Sequence, residues 1–152
     1  MSDGAGHLSP VAEGPWAGWL CWAGSRAGTF LEAIGPSYSR SDAQGCATVM
    51  LETRPFHANR LGALHGGFLA AFADHAYFAA LAAMGRPDQA RAVTVDLVMQ
   101  YCGSGRIGPD LCAEVELLRE TGRMMFMRLR ILQEEELVAA SSATVRKAPS
   151  RS

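Results

Sequence analysis

The chain has 152 residues, 49% of them hydrophobic and 19% charged, with a formal net charge of −1 at neutral pH. That is the make-up of one globular domain with a sizeable core, and it excludes an extended disordered chain. Balanced charge offers no basic field for nucleic acid, and the four cysteines (Cys21, Cys46, Cys102, Cys112) show neither a CxxC pair nor metal-ligand spacing. The expectation is a single domain over 1–152 with loose ends at 1–14 and 147–152. It has reduced thiols, no metal and no cofactor, and Met1–Pro10 does not read as a signal peptide, which points to the cytoplasm.

In Pro15–Trp22 the rings of Trp16, Trp19 and Trp22 recur at steps of three, which predicts a short helix with one aromatic side. That side either caps a sheet or lines a greasy pocket. Thr29–Ile34 reads as a short strand ended by Gly35-Pro36. Cys46–Thr53 reads as another, with Ala47, Val49 and Leu51 alternating against Thr48, Met50 and Glu52. Pro55 stops it, and Phe56–Leu64 is loop.

From about His65 to Met84 the chain is apolar almost all round, and Gly85-Arg86-Pro87 ends the predicted helix. Its length approaches a membrane span, but Gly66-Gly67, Asp74 and His75 interrupt it and no second such segment follows, so it reads as a buried helix. Four strands come next: Arg91–Tyr101, Leu111–Glu120, Met124–Gln133 and Leu137–Val145. In the first, alternation puts Val93, Val95, Leu97, Met99 and Tyr101 on one face. Short connections make these strands antiparallel. A single small sheet covers one long apolar helix only by curling around it, so the fold class is α+β, a curved antiparallel sheet wrapped around a central helix.

Two features of the helix point to chemistry. Adjacent glycines at its start leave backbone N–H groups bare where the dipole favours negative charge. Asp74 then carries a carboxylate into apolar surroundings, which is costly unless the group is paired or used. Asp74 as a structural acid and His75 as a packing residue are the plainer alternatives. His57, His65, Asp74 and His75 contain no helical i,i+4 pair, so they do not read as a metal site.

Asn59, Gly62, His65-Gly66-Gly67 and Asp74 form an N-x-x-G-x-x-H-G-G-x6-D pattern. It resembles the hotdog-fold acyl-CoA thioesterases of the phenylacetic-acid-degradation type, over roughly Ala43 to Val145. The Ala92–Leu97 strand and the Gly122-Arg123 turn belong to the likeness. It implies a hotdog fold and hydrolysis of acyl-CoA thioesters, with no nucleic-acid or membrane partner. By the same resemblance Asp74 is the catalytic carboxylate, as nucleophile or as base for water. The Gly66 N–H polarises the thioester carbonyl, and Gly67 lies against the substrate. Asn59 positions thioester or water, Thr94 sits near the attacking water, and His65 shapes the glycine turn. Arg106 and Arg123 either meet coenzyme A phosphates or are ordinary surface charges. The loop Tyr101–Gly108 departs from the family, which commonly has a small residue and proline there. A non-catalytic acyl-CoA or lipid-binding hotdog protein is the alternative function. A hotdog hydratase ranks last, because the D-x4-H arrangement is absent after Asp74.

Gly66 and Asp74 are eight residues apart, ~12 Å along a helix. One thioester needs the attacking group and the carbonyl's donor each within ~3 Å. The spacing therefore predicts that Gly66 of one chain faces Asp74 of another. The result is a homodimer, or a dimer of such dimers, with shared sites.

Overall fold

The computed structural model describes residues 8–23, 28–86 and 91–149. The foreseen loose ends fall partly outside that range, at 1–7 and 150–152. The elements in chain order are β1 (Leu8–Pro10), β2 (Leu20–Trp22), α1 (Leu31–Ile34), β3 (Ser37–Ala43), β4 (Cys46–Leu51), a 3₁₀ turn (Pro55–His57), α2 (Gly66–Ala83), β5 (Val93–Tyr101), β6 (Leu111–Glu120), β7 (Met124–Gln133) and β8 (Glu136–Arg146). The eight strands form one sheet in the order β1-β2-β3-β4-β6-β7-β8-β5, and every pairing is antiparallel.

The sheet takes its shape from α2. By length and composition this helix could cross a membrane. Here it packs against β3, β4, β5, β6 and β7 instead. Leu69, Phe72, Ala73, Ala76, Tyr77, Ala79, Ala80 and Leu81 are buried along it. They meet Val49, Leu51, Leu111, Ala113, Met127, Ile131 and Val145 from the inward face of the sheet. Alanines at four of the buried helix positions let the strands come close while Phe72 and Tyr77 fill the remaining space.

Local structure departs from expectation in five places. Pro15–Trp22 is not a helix: Gly14 and Gly18 take φ of 86° and 84°, which no right-handed helix allows, so the segment turns and enters β2. The three rings consequently diverge. Trp16 stacks on Tyr38 at 4.8 Å and Trp19 lies under the Arg40 guanidinium, whereas Trp22 turns inward. Second, Leu31–Ile34 is one helical turn and not a strand, closed by Gly35 at φ 91°. Leu31 and Ile34, three apart, share one side of this turn, Leu31 half-buried and Ile34 buried, but so few residues do not establish a helical period in the sequence.

Third, β3 gave no sequence signal, because its fully buried positions are Ser37 and Ser39. Fourth, a bulge in β5 defeats simple alternation. Thr94 pairs with Val145 and Asp96 with Thr144, so Val95 drops out of the ladder. Val93 and Val95 are consequently exposed, while Thr94, Leu97 and Met99 point inward. At the other end of the chain Leu8–Pro10, foreseen as loose, pairs with β2.

Phe72 is fully enclosed. Phe72→Ala is expected to lower the unfolding free energy by about 3–5 kcal/mol, read from guanidinium unfolding curves. A loss below about 1 kcal/mol would mean that the sheet does not close over the helix as described.

Candidate functional site

The glycine turn is held from three sides. His65 is the N-cap of α2 in extended conformation (φ −67°, ψ 133°), and its Nδ1 accepts the Gly67 N–H at 2.9 Å. A Cβ on residue 67 would stand 3.0 Å from that nitrogen, so glycine is what lets the ring close on the backbone. The His65 N–H in turn donates to the His57 carbonyl at 2.9 Å. His57 accepts the Arg54 N–H on Nδ1, so Nε2 carries the proton and donates to the Ala33 carbonyl at 2.8 Å. Its ring stacks on Phe68 at 3.7 Å, tying α1 to the first turn of α2.

Asn59 organises the approach. Its Oδ1 accepts from the N–H groups of Leu61 (2.8 Å) and Ala63 (3.1 Å), which leaves the side-chain NH₂ outward as a donor. Bridges from Ala58 to Leu64 and from Ala63 to Arg106 complete the strap. Of the two glycine donors foreseen at the helix start, His65 occupies that of Gly67. The Gly66 N–H makes no hydrogen bond among the described residues.

Asp74, two turns on, is half-buried, and its Oδ1 accepts from Thr94 Oγ1 at 2.6 Å. The β5 bulge aims Thr94 at it. Asp96 secures the bulge by accepting the Thr144 N–H on Oδ1 at 3.0 Å. Among the described residues no cation pairs with Asp74. Behind it lies His75, whose Nε2 shares a 2.7 Å hydrogen bond with Ser37 Oγ and whose ring meets Trp22 at 4.7 Å. Burial pushes His75 down to about 4, so it is neutral at physiological pH. Tyr77 donates to Ser141 at 3.0 Å, and burial pushes it up to about 12, so it keeps its proton.

One chain does not bring Asp74 and Gly66 together. The Gly66 carbonyl accepts from Tyr101 Oη at 2.8 Å, at the end of β5, whereas Asp74 meets Thr94 at its beginning. The arginines divide in the same way. Arg106 sits on the glycine side, ion-paired with Glu134 at 2.6 Å, and Arg123 lies in the β6–β7 turn beside the start of β5. Tyr101, Ser37 and Asp96 are parts of the site that sequence reasoning missed. An aromatic strand end, a serine and a surface aspartate carry no spacing signal without the register that joins them.

This arrangement (a capped glycine turn, one open N–H, and a carboxylate on a helix inside a curled sheet) can be set beside known proteins. The model of the thioesterase superfamily matches residues 61–140, more than half of the chain and every element from the glycine turn to β8's first half. The chain belongs to the thioesterase superfamily. A candidate esterase of Pseudomonas aeruginosa is 35% identical over 117 residues, covering 77% of this chain and 87% of that protein. A mutant form of the phenylacetic acid degradation protein PaaI from Thermus thermophilus superposes with a TM-score of 0.64 at 30% identity, over 78% of this chain and 98% of that one. A hypothetical thioesterase of Streptococcus pneumoniae, solved with coenzyme A, shares the fold at a TM-score of 0.63 and 20% identity, over 75% and 91% of the two chains. The hotdog fold expected from the motif is the fold of this superfamily member.

His75 makes stability depend on pH. Unfolded imidazole takes up a proton near pH 6.5, whereas the folded one resists until about 4. The contribution is whole above about pH 6.5 and is lost as pH falls toward 4, by roughly 3 kcal/mol. Unfolding midpoints measured from pH 7 to 4 should fall more steeply for the native protein than for His75→Gln. Parallel curves would remove His75 from the account.

Proposed function

We propose that the protein hydrolyses acyl-CoA thioesters to the free acid and coenzyme A, in sites shared by two copies of the chain. The observation that carries this reading is that the open Gly66 N–H and the Asp74–Thr94 pair lie at opposite ends of β5, an edge strand of the sheet. Val93, Val95 and Val98 on this edge strand are 49%, 55% and 57% exposed. A long apolar edge of this kind invites a further strand. Antiparallel pairing of two β5 strands about a twofold axis near Val98 would set Tyr101 and Gly66 of one copy beside Thr94 and Asp74 of its mate. It would also bring Arg123 of one copy to the same end as Arg106 of the other, where guanidinium groups suit phosphates. The assembly would be this homodimer or a pair of such dimers. Coenzyme A in the Streptococcus pneumoniae structure supports the choice of thioester.

In the reaction the thioester carbonyl oxygen accepts from the Gly66 N–H, which stands ready for the developing oxyanion without reorganisation. Asp74 either attacks the carbonyl carbon or takes a proton from the water that does. Thr94, donating to one carboxylate oxygen, leaves the other free to act. The carbon–sulfur bond breaks, the water oxygen ends in the acid, and the remaining proton goes to the coenzyme A thiolate. Asn59, its carbonyl already fixed by two N–H groups, offers its NH₂ to the substrate or the water.

Release of free thiol from a panel of acyl-CoA substrates tests the reading. Asp74→Asn is expected to slow turnover by ~10²–10⁴. Gly66→Pro removes one donor at a helix position where proline is tolerated, and is expected to cost ~10²–10³. Equal turnover by Asp74→Asn and the native protein would defeat the assignment of Asp74. Saturable acyl-CoA binding with no turnover would make the protein a carrier and not an enzyme.

A further inference from the structure

A net charge of −1 hides an uneven surface. Arg40, Arg106, Arg128 and Arg130 each have an acid beside them. Arg91, Arg119, Arg123 and Arg146 are exposed and make no ion pair among the described residues. These four lie at one end of the sheet: just before β5, at the end of β6, in the β6–β7 turn and at the end of β8. Arg86 and Lys147 are there too and share Glu120. Glu134, Glu135 and Glu136 crowd the β7–β8 hairpin at the opposite end. The basic end draws anionic partners toward it.

Phe126 stands among these charges. Alternate residues of β7 and β8 face the helix, Met125, Met127, Ala143 and Val145 being buried, so Phe126, Thr144 and Arg146 lie on the outer face. Phe126 is opposite Arg119 of β6 and, on its other side, opposite Thr144 of β8, which makes Arg146 its diagonal neighbour. Leu118, in the β6 bulge beside Arg119, is 50% exposed, and Phe126 is 40% exposed. Arg119 and Arg146 thus flank an apolar centre from two strands ~10 Å apart, at ~4.8 Å per strand. An α-helix is ~10–12 Å across. One helix lying along β7 would cover Phe126 and Leu118 and reach both guanidinium groups with carboxylates on its flanks.

This patch adjoins the candidate site. Arg146 pairs with Val93, and Val145 pairs with Thr94, the donor to Asp74. The phosphates of coenzyme A would satisfy arginines but have no use for exposed Phe126 and Leu118. A flat anionic bilayer would also press on Asp96, which lies in the same outer row as Phe126 and Thr144. A narrow acidic helix over β7 leaves Asp96, on β5, uncovered.

We propose that this end of the sheet docks an acyl carrier protein, a small acidic protein that presents the acyl group as a thioester on its own prosthetic arm. Arg119 and Arg146 receive its carboxylates, and Phe126 and Leu118 its apolar contacts. The proposal rests on the thioesterase reading and adds a second donor to it. Water adds to the thioester carbonyl, the carbon–sulfur bond breaks, and free acid and carrier thiol are released. Arg119 and Arg146 touch no reacting atom; they decide which donor is accepted.

The test measures kcat and KM for octanoyl-acyl carrier protein and for octanoyl-CoA in the native protein, Arg119→Glu, Arg146→Glu and Phe126→Ser. Each substitution should raise KM for the carrier thioester by at least ~10-fold with kcat kept, and should change kcat/KM for octanoyl-CoA by less than ~2-fold. Arg119→Gln should give a smaller loss, and serves if the reversed charge prevents folding. Equal losses on both substrates would assign these arginines to coenzyme A and overturn the docking. Calorimetric titration with unacylated carrier protein separates this proposal from the hydrolase reading. Binding weakened at least ~10-fold by Arg119→Glu supports the docking even if no thioester is hydrolysed. A native protein that neither binds the carrier nor hydrolyses its thioester overturns it. So does binding to phosphatidylglycerol vesicles, lost in Arg119→Glu, without binding to the carrier.

Discussion

The structure depends on covering a helix that has no polar side. α2 exposes apolar residues in every direction, and water penalises each one left uncovered. Flat sheets cover one face of a helix; this sheet curls, so that β3 and β4 meet α2 on one flank while β5, β6 and β7 meet it elsewhere. The cost appears in detail. Ser37 and Ser39 replace large side chains where β3 passes the helix, and Ser37 answers His75, which would otherwise be a buried polar group without a partner. Asp74 is tolerated in the same way, with Thr94 bent toward it by the β5 bulge.

That enclosure also fixes what the proposed chemistry has to work with. His65 uses one glycine donor to close the helix start and leaves the next one open. The open N–H and the carboxylate are then held by the two ends of one strand, so a rigid fold keeps them apart within the chain. Rigidity suits an oxyanion site, where donors should wait in place. The same rigidity leaves pairing of two β5 edges as the plain route to a complete site.

The long periodic elements were legible in the sequence. The bounds of α2, β6 and β7 follow from apolar patterning and the glycine and proline signals around them, and the curled sheet follows from the helix's lack of a polar face. At the site, the resemblance had His65 shaping the glycine turn, where its ring accepts the Gly67 N–H, and Asn59 positioning thioester or water, whereas its carbonyl is found fixing the Leu61 and Ala63 N–H groups. Legibility failed where distant partners decide the structure. Ser37 is inside because His75 is there, and Val95 is outside because Asp96 replaces a ladder bond with its side chain. The tryptophans misled because their spacing of three is helical, while Gly18 between two of them takes a left-handed conformation.

The shared site is tested most directly by mixing subunits of two inactive variants, Asp74→Asn and Gly66→Pro, after unfolding and refolding them together. If each site joins Gly66 of one copy to Asp74 of another, a mixed dimer carries one site with both defects and one fully intact site. Random mixing then restores about a quarter of native turnover, since half of the dimers are mixed and each has one working site of two. Turnover that stays at the level of the separate variants, in a mixture shown to contain mixed dimers, would contradict the account.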